Sequence, residues 1–295
     1  MNVTVLGAGV MGRNIARVFL HSGARVALYS RSDETLGGAR RALDNSVRTD
    51  ALSTSTAIDA AVAEARLVIE SVPERLTLKR GILAEVEMAA PEGALIATNT
   101  SSLSLDDLAA SLRRPERFLG LHWFNPAHLI PLVEVVPAAA TESQAVEWSV
   151  HVLKRAGKRP RVLQRAVPGF LANRLQYALI REALQLLEDG VADAETIDGV
   201  ITDCLGPRWA VIGPLRSTDL AGVETAIAVA EQLYGDLSCA TRPQRPLREL
   251  REQGRLGVRT GEGFHAYPDP QAAVDARDRG LAAVLDALRD AAARR

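Results

Sequence analysis

The sequence predicts an α/β domain with a doubly wound, mostly parallel sheet, followed by an all-α domain. Three observations carry that prediction. In the first third of the chain, short apolar runs alternate with helical patterns in the order strand, helix, strand, as in a parallel sheet covered on both faces. A glycine-rich turn joins the first apolar run to the first helical pattern. After Pro168 the strand pattern stops and only helical spacing continues.

The elements follow in order. "VTVLGAG" reads as a strand, Met11 to His21 as a helix, "RVALYS" as a strand and Glu34 to Asn45 as a helix. "RLVIES", a helix from Leu78 to Met88, and "ALIATNTSS" continue the alternation, and further strands are expected at "RFLGLHWF", "LVEVVP" and "RPRVLQ". In "PGFLANRLQYALIREALQLLEDG", Pro168 stands near a helix start, Leu171, Leu175, Ala178, Leu179 and Leu186 recur at helical spacing, and Gly190 is a stop. Helices are expected near Ala194 to Cys204, Leu220 to Tyr234 and Gly280 to Ala293. The predicted division is therefore residues 1–166 and 167–295.

The 295 residues, 47% hydrophobic and 24% charged, are enough for two domains with real cores. Net charge is -1 with the basic residues dispersed, which argues against a nucleic-acid or membrane-surface partner and for a small molecule. Cys204 and Cys239 form neither a metal-type spacing nor a disulfide framework. No leader pattern is read at the N-terminus, and no stretch reaches the about 18 apolar residues of a membrane helix. A cytoplasmic location is the expectation.

Gly7, Gly9 and Gly12 form G-x-G-x-x-G between a strand and a helix that opens through Val10 and Met11, with a second strand following. These glycines permit a tight turn, close approach of backbone to a pyrophosphate, and tight helix-on-strand packing. The helix N-terminus adds free N–H groups and the positive end of a dipole. A dinucleotide site is expected here. At the end of the second strand, where an acid usually takes the ribose of NAD, the chain reads Ser30 then Arg31. That removes an anionic repeller and adds a guanidinium suited to a 2'-phosphate, a lean toward NADP(H) over NAD(H). The other reading has Arg31 stacked on adenine or facing solvent while Asp33 serves the ribose.

In "GLHWFNPAHLIPLVEVVP", alternation puts Leu132, Glu134 and Val136 on one face of a short strand. An ionised carboxylate in so apolar a run needs a partner. His122 ends the preceding strand, and the Asn-Pro turn signal offers a way to bring the two segments together. A glutamate beside an imidazole fixes its tautomer and stabilises the imidazolium, which suits a general base that removes an alcohol proton. The alternative is a satisfied core histidine with a glutamate at a strand edge.

"VLGAGVMG", "NTSSLSLDDLA", "GLHWFNP", "LVEVVP", "PGFLANRLQ" and "GVRTGEGFHAYP" occur together in an order and spacing that resemble the L-3-hydroxyacyl-CoA dehydrogenase family over nearly the whole chain. The resemblance implies a Rossmann domain, a helical domain that dimerises, and a site in the cleft between them. It also implies that His122 is the catalytic base or acid with Glu134 as its partner, and that Ser101 and Asn173 hold the substrate oxygen. Asn99 and Asn125 match positions near the nicotinamide, and Glu74 and Lys79 match cofactor contacts. Ser102 reads as a turn or capping residue, and His265 as a surface or packing residue.

Two departures bear on substrate. Residues 31–66 hold one clear helix and "STSTAIDAAVAEA", so the helical tail that helps fatty-acid enzymes bind coenzyme A reads as truncated. The helical domain resembles more the lambda-crystallin and L-gulonate dehydrogenase branch and the carnitine dehydrogenases. The leading expectation is hydride transfer between a nicotinamide cofactor and a short-chain 3-hydroxy or 3-keto acyl substrate of the 3-hydroxyacyl-CoA type. The alternatives are a non-CoA substrate, namely L-gulonate, carnitine, or a carrier-bound or polyketide intermediate, and a non-catalytic crystallin-like protein.

Overall fold

A computed structural model describes residues 1–44 and 49–293, and the chain divides into two compact units, Met1–Arg174 and Leu175–Arg295. Unit 1 holds strands β1 (Asn2–Leu6), β2 (Arg25–Tyr29), β3 (Leu52–Ser55), β4 (Leu67–Glu70), β5 (Leu95–Thr98), β6 (Phe118–Trp123), β7 (Leu132–Pro137) and β8 (Arg159–Val162). They form one sheet in the order β3-β2-β1-β4-β5-β6-β7-β8. Pairing is parallel from β3 through β6, antiparallel between β6 and β7, and parallel again between β7 and β8.

Helices α1 (Val10–His21), α2 (Asp33–Asp44), α3 (Ile58–Val62), α4 (Leu76–Ala89), α5 (Leu105–Ala109) and α6 (Ser143–Arg155) complete this unit. The sheet is buried on both faces, so every residue of β4, β5 and β6 is buried and most are apolar. Their period of two sorts them: Leu67, Ile69, Leu119 and Leu121 enter one core with Phe19 and Leu28, while Val68, Ile96 and Phe118 enter the other with Leu83 and Leu108. Each such side chain contributes about 1.5–3 kcal/mol by leaving water. By the same alternation His122 shares the face of Phe118, and Glu134 that of Val136.

Several boundaries differ from expectation, each for a local reason. The helix expected to end at Asn45 is α2, and Asn45 lies outside the described residues. Residues 31–66 carry β3 and α3 as well as α2; β3 is an edge strand with only Leu52 buried, so its polar face hid it. The short helix α5 was not anticipated, and α6 is the helical pattern expected around His151. The helix expected at Pro168 is α7 (Ala172–Glu188), because Gly169 and Phe170 adopt left-handed backbone, with φ of +76° and +50°.

In unit 2, α8 (Ala194–Val200) passes into a π-helical turn at Ile201–Leu205 and then α9 (Gly206–Val211). The single helix expected from Leu220 to Tyr234 is two, α10 (Pro214–Ala221) and α11 (Val223–Leu233), broken by Gly222 at φ +95°. Helix α12 (Arg245–Glu252) escaped notice because its sequence is mostly charged, and α13 (Pro270–Ala293) starts ten residues before its expected beginning. No described helix is long and apolar enough to cross a membrane.

Candidate active site

The strand order reverses between β1 and β4, so the loops after β1 and β4 leave the carboxyl edge of the sheet in opposite directions and open a crevice there. The loop after β1 is Gly7 to Gly9. Gly7 has φ +104°, and a Cβ on it would lie 2.5 Å from the Ser71 carbonyl oxygen. A Cβ on Gly12 would lie 1.7 Å from the Gly7 carbonyl oxygen, so this glycine sets how closely α1 approaches the turn. A Cβ on Gly9 would meet nothing within 4 Å. Gly9 is the N-cap of α1, no side chain caps that end, and the first turn carries no acid. Exposed Val10 and half-buried Met11 open the helix. Such a turn can hold the pyrophosphate of a dinucleotide, with N–H groups and a positive helix end presented to it.

At the end of β2, Ser30 is half-buried and Arg31 exposed. The Ser30 hydroxyl accepts from the Ser32 backbone N–H at 3.4 Å, and the Ser32 hydroxyl accepts from the Thr35 N–H as α2 begins. Asp33 stands in the first turn of that helix, where its charge complements the dipole.

At the next strand end, Glu70 is fully buried. Its carboxylate accepts from both Lys79 Nζ (2.7 and 2.8 Å), Thr98 Oγ1 (2.6 Å) and the Val72 N–H (2.6 Å). Lys79 is 1% exposed and also meets Glu74 Oε2 at 3.1 Å. Glu74 Oε1 accepts from Thr100 Oγ1, from the backbone N–H of Ser101 (3.0 Å) and Ser102 (3.1 Å), and from Ser102 Oγ (3.0 Å). Burial acts to raise the Glu74 pKa. The hydrogen bond from Thr100 and the charge of Lys79, with hydrogen bonds from Lys79 and Ser102, outweigh it and hold the carboxyl at about 2. The half-buried Ser101 follows, and its hydroxyl makes no hydrogen bond to another described residue.

His122 and Glu134 stand directly opposite each other in the antiparallel β6 and β7 pair. His122 Nδ1 lies 2.8 Å from Glu134 Oε2, and the two residues are 4% and 1% exposed. The other oxygen, Oε1, accepts from the backbone N–H of Leu171 (3.1 Å) and Ala172 (2.7 Å) at the start of α7. Glu134 thereby satisfies two orphan donors of a helix end and complements its dipole while binding the imidazole. Phe124 and Phe170 meet the ring edge-on, at centroid distances of 4.4 and 5.3 Å, and shield the pair from water. Asn173, the second residue of α7, is half-buried directly after the two amides that Glu134 holds.

Asn99 ties two strand ends together: its Oδ1 accepts from the Trp123 N–H at 2.9 Å and its Nδ2 donates to Ser71 Oγ at 3.4 Å. Asn125 is exposed and precedes a cis peptide bond to Pro126. The sheet register thus brings His122 to Glu134, and Glu134 to the start of the Asn173 helix. Glu74 and Lys79 meet each other and the turn that carries Ser101. His265, read as a surface or packing residue, is exposed and pairs with Asp198 at 2.9 Å.

Glu70 and Thr100 were missed. The signal for Glu70 was the one that marked Glu134, a carboxylate in an apolar strand run.

Comparison with known proteins adds an independent line. Residues 2–166 match the family model described as 3-hydroxyacyl-CoA dehydrogenase, NAD binding domain, and residues 169–267 match the model of the C-terminal domain of that family. The chain is 39% identical over 301 residues to an L-carnitine dehydrogenase of Streptomyces coelicolor, covering 97% of this chain and 94% of that protein. It is 33% identical over 298 residues to a 5-formyl-3-hydroxy-2-methylpyridine 4-carboxylate 5-dehydrogenase of Mesorhizobium japonicum, covering 96% of each. A crystal structure of an enzyme with that pyridine activity, described as an NAD+ dependent dismutase, superposes with a TM-score of 0.93 at 31% identity, over 98% of both chains.

Proposed function

The chain belongs to the 3-hydroxyacyl-CoA dehydrogenase family, and from that premise we propose that it transfers a hydride between a nicotinamide dinucleotide and a 3-hydroxy or 3-keto acyl substrate of short chain, with His122 as base and acid. The observation that carries this reading is the buried His122–Glu134 pair, anchored by its second oxygen on the α7 amides. When bound, the nicotinamide takes the hydride from the carbinol carbon or returns it.

An ionised Glu134 accepts the Nδ1–H of His122, so Nε2 is the nitrogen left to take the hydroxyl proton in oxidation and give it back in reduction. Glu134 also stabilises the imidazolium that forms. Ser101 and Asn173 are assigned to hold the substrate oxygen and stabilise the charge that develops on it. The G-x-G-x-x-G turn and the open start of α1 are assigned to the pyrophosphate, and Asn99 and Asn125, by the family resemblance, to the nicotinamide end. For the coenzyme, the absence of a carboxylate at the β2 end and the exposed guanidinium of Arg31 favour a 2'-phosphate at Ser30 and Arg31, hence NADP(H), although the pyridine enzyme is described as NAD+ dependent.

A second reading replaces the acyl-CoA ester with a free hydroxy acid. It is favoured by near full-length likeness to two dehydrogenases whose names carry no thioester. The test is parallel turnover of acetoacetyl-CoA with NADH and NADPH, beside oxidation of L-carnitine with NAD+ and NADP+. Reduction of acetoacetyl-CoA supports the first reading, carnitine oxidation alone the second, and a preference for NADH overturns the coenzyme assignment.

We further propose that the working unit is a homodimer formed through unit 2. Leu184 is the one buried hydrophobic side chain of that unit among its described residues, while Leu175, Tyr177, Leu215, Leu220 and Tyr234 are each at least 60% exposed. An open cavity of about 860 Å3, walled by Leu184, Leu187, Ile197, Leu247 and Phe264, adds to this apolar surface. So much unpartnered apolar area calls for a second copy. A monomer by analytical ultracentrifugation at micromolar concentration would contradict this.

A further inference from the structure

We infer that Glu74 is a positioning residue, whose carboxylate, backed by the buried Lys79–Glu70 pair, sets the Thr100–Ser102 turn so that the Ser101 hydroxyl meets the substrate oxygen. The inference rests on the assignment of Ser101 in the proposed function and extends it to the groups behind the serine.

The donor count argues for this role over a direct hold on the cofactor. A carboxylate offers about four lone-pair sites. Glu74 already meets five donors: Thr100 Oγ1, the Ser101 and Ser102 N–H groups, Ser102 Oγ, and Lys79 Nζ. An ammonium has three N–H donors, and Lys79 directs them at Glu70 Oε1, Glu70 Oε2 and Glu74 Oε2. Lys79 therefore has no donor left for a ligand, and Glu74 Oε1, which takes four of the five donors, is wholly committed to the serine turn, while Oε2 takes Lys79 alone.

The consecutive N–H groups of Ser101 and Ser102 converge on one oxygen, as a backbone nest closes on an anion. The Ser101 backbone donor is thereby used, and its hydroxyl alone remains for a substrate. The turn is tied a second time from beneath: Thr98 Oγ1 donates to Glu70 Oε2 and accepts from the Thr100 N–H at 3.1 Å. One buried cation therefore fixes two carboxylates, and both carboxylates fix the serine turn.

The test compares Glu74→Ala, Glu74→Gln, Thr100→Val and Ser101→Ala, with the Glu74→Ala/Ser101→Ala double variant, in the full chain. Readouts are kcat and KM with the more active of acetoacetyl-CoA and L-carnitine, the Kd for NADH and NADPH by fluorescence, and amide exchange at Ser101 and Ser102. The expected result is a kcat loss of about 10- to 100-fold in Glu74→Ala, with cofactor Kd within about twofold and faster exchange at both amides. Ser101→Ala adds nothing further to Glu74→Ala, because the serine is already out of place. Thr100→Val, which removes one donor to Glu74 and the acceptor of the Leu103 N–H but leaves the Ser101 and Ser102 amides on Glu74, loses less, and Glu74→Gln recovers part of kcat because its carbonyl oxygen still accepts from the amides.

Multiplicative losses in the double variant, or a Glu74→Ala protein that keeps kcat and loses cofactor affinity about tenfold, would overturn the inference. Ser101→Ala at full kcat would overturn the serine assignment itself. An impaired Ser101→Ala beside an unimpaired Glu74→Ala would overturn the inference alone.

Discussion

Glu134→Gln isolates the role of the carboxylate because it changes one atom and almost no volume. In the native site Oε2 accepts from His122 Nδ1 at 2.8 Å and Oε1 accepts from two amides at 2.7 and 3.1 Å. Glutamine has one acceptor and one donor group for these two sides. With its oxygen toward His122, its NH2 group faces the N–H groups of Leu171 and Ala172. Two buried donors then go unsatisfied, at about 1–3 kcal/mol each. With its oxygen toward the amides, both helix donors are satisfied, and the NH2 group donates to Nδ1 of His122.

The second arrangement is lower in energy. It forces the proton onto Nε2, the nitrogen that must accept from the substrate. The general base is then in the wrong tautomer, and general-base catalysis is worth about 10²- to 10⁴-fold. The expected result is a kcat in the oxidative direction at least about 100-fold lower, about 2.7 kcal/mol in barrier, with a melting temperature close to that of the parent. Steady-state kinetics and 15N chemical shifts of His122 measure both halves. A kcat within about threefold of the parent, or an unchanged Nδ1–H tautomer, would refute the argument.

Three further outcomes follow from the same geometry. Gly9→Ala meets open space, so it folds with an unchanged melting temperature and, by blocking backbone approach to the pyrophosphate, loses at least about tenfold in dinucleotide affinity; Gly12→Ala, whose Cβ would lie 1.7 Å from Gly7 O, loses stability as well, and equal melting temperatures for the pair would refute this. Lys79→Met strands a fully buried Glu70, at a cost of about 3–5 kcal/mol; at about 2–4 °C per kcal/mol, calorimetry is expected to show a fall of about 6–20 °C, and a fall under about 3 °C would mean the pair is not ionised. Because the Glu74 pKa is depressed from 4.5 to about 2, its ionised form stabilises the fold fully above pH 4.5, and that contribution is lost as pH falls toward 2; denaturant unfolding of parent and Glu74→Gln should differ by a constant amount from pH 8 to 5 and converge below, and a gap that widens in acid would reverse the assigned sign.

Legibility followed how each feature is encoded. The glycine turn and the alternating strands depend on local steric and hydrophobic rules, so β1, α1, β2 and the run through β5 could be read from the chain. The edge strand β3 could not, since only Leu52 of its four residues is buried and no apolar alternation remains. The start of α7 was displaced because Phe170 takes a left-handed conformation, which no propensity rule assigns to phenylalanine. Tertiary contacts impose it, and the place where they do so is where Glu134 receives the helix.

Unit 2 was legible as helical and poorly divided, because its apolar side chains lie mostly exposed and helical periodicity therefore has no buried face to report. The site shows the same division between local and distant encoding. Glu134 announced itself as a charge in an apolar run, and the histidine twelve residues before it supplied a partner that could be named. Glu70 sits in an equally apolar run, "LVIE", and passed unnoticed because its partner Lys79 lies nine residues on, in a helix where the resemblance assigned it to the cofactor. The two glutamates hold different groups: one holds the His122 imidazole and the first turn of α7, the other holds the lysine behind the serine turn. A buried carboxylate in a strand of this sheet therefore marks a loop or helix start that must be held, and the identity of what it holds is decided by the neighbouring strand. For Glu134 that neighbour is β6 and for Glu70 it is β5, which is why sheet order, and not sequence distance, separates the His122–Glu134 pair from the Lys79–Glu70 pair.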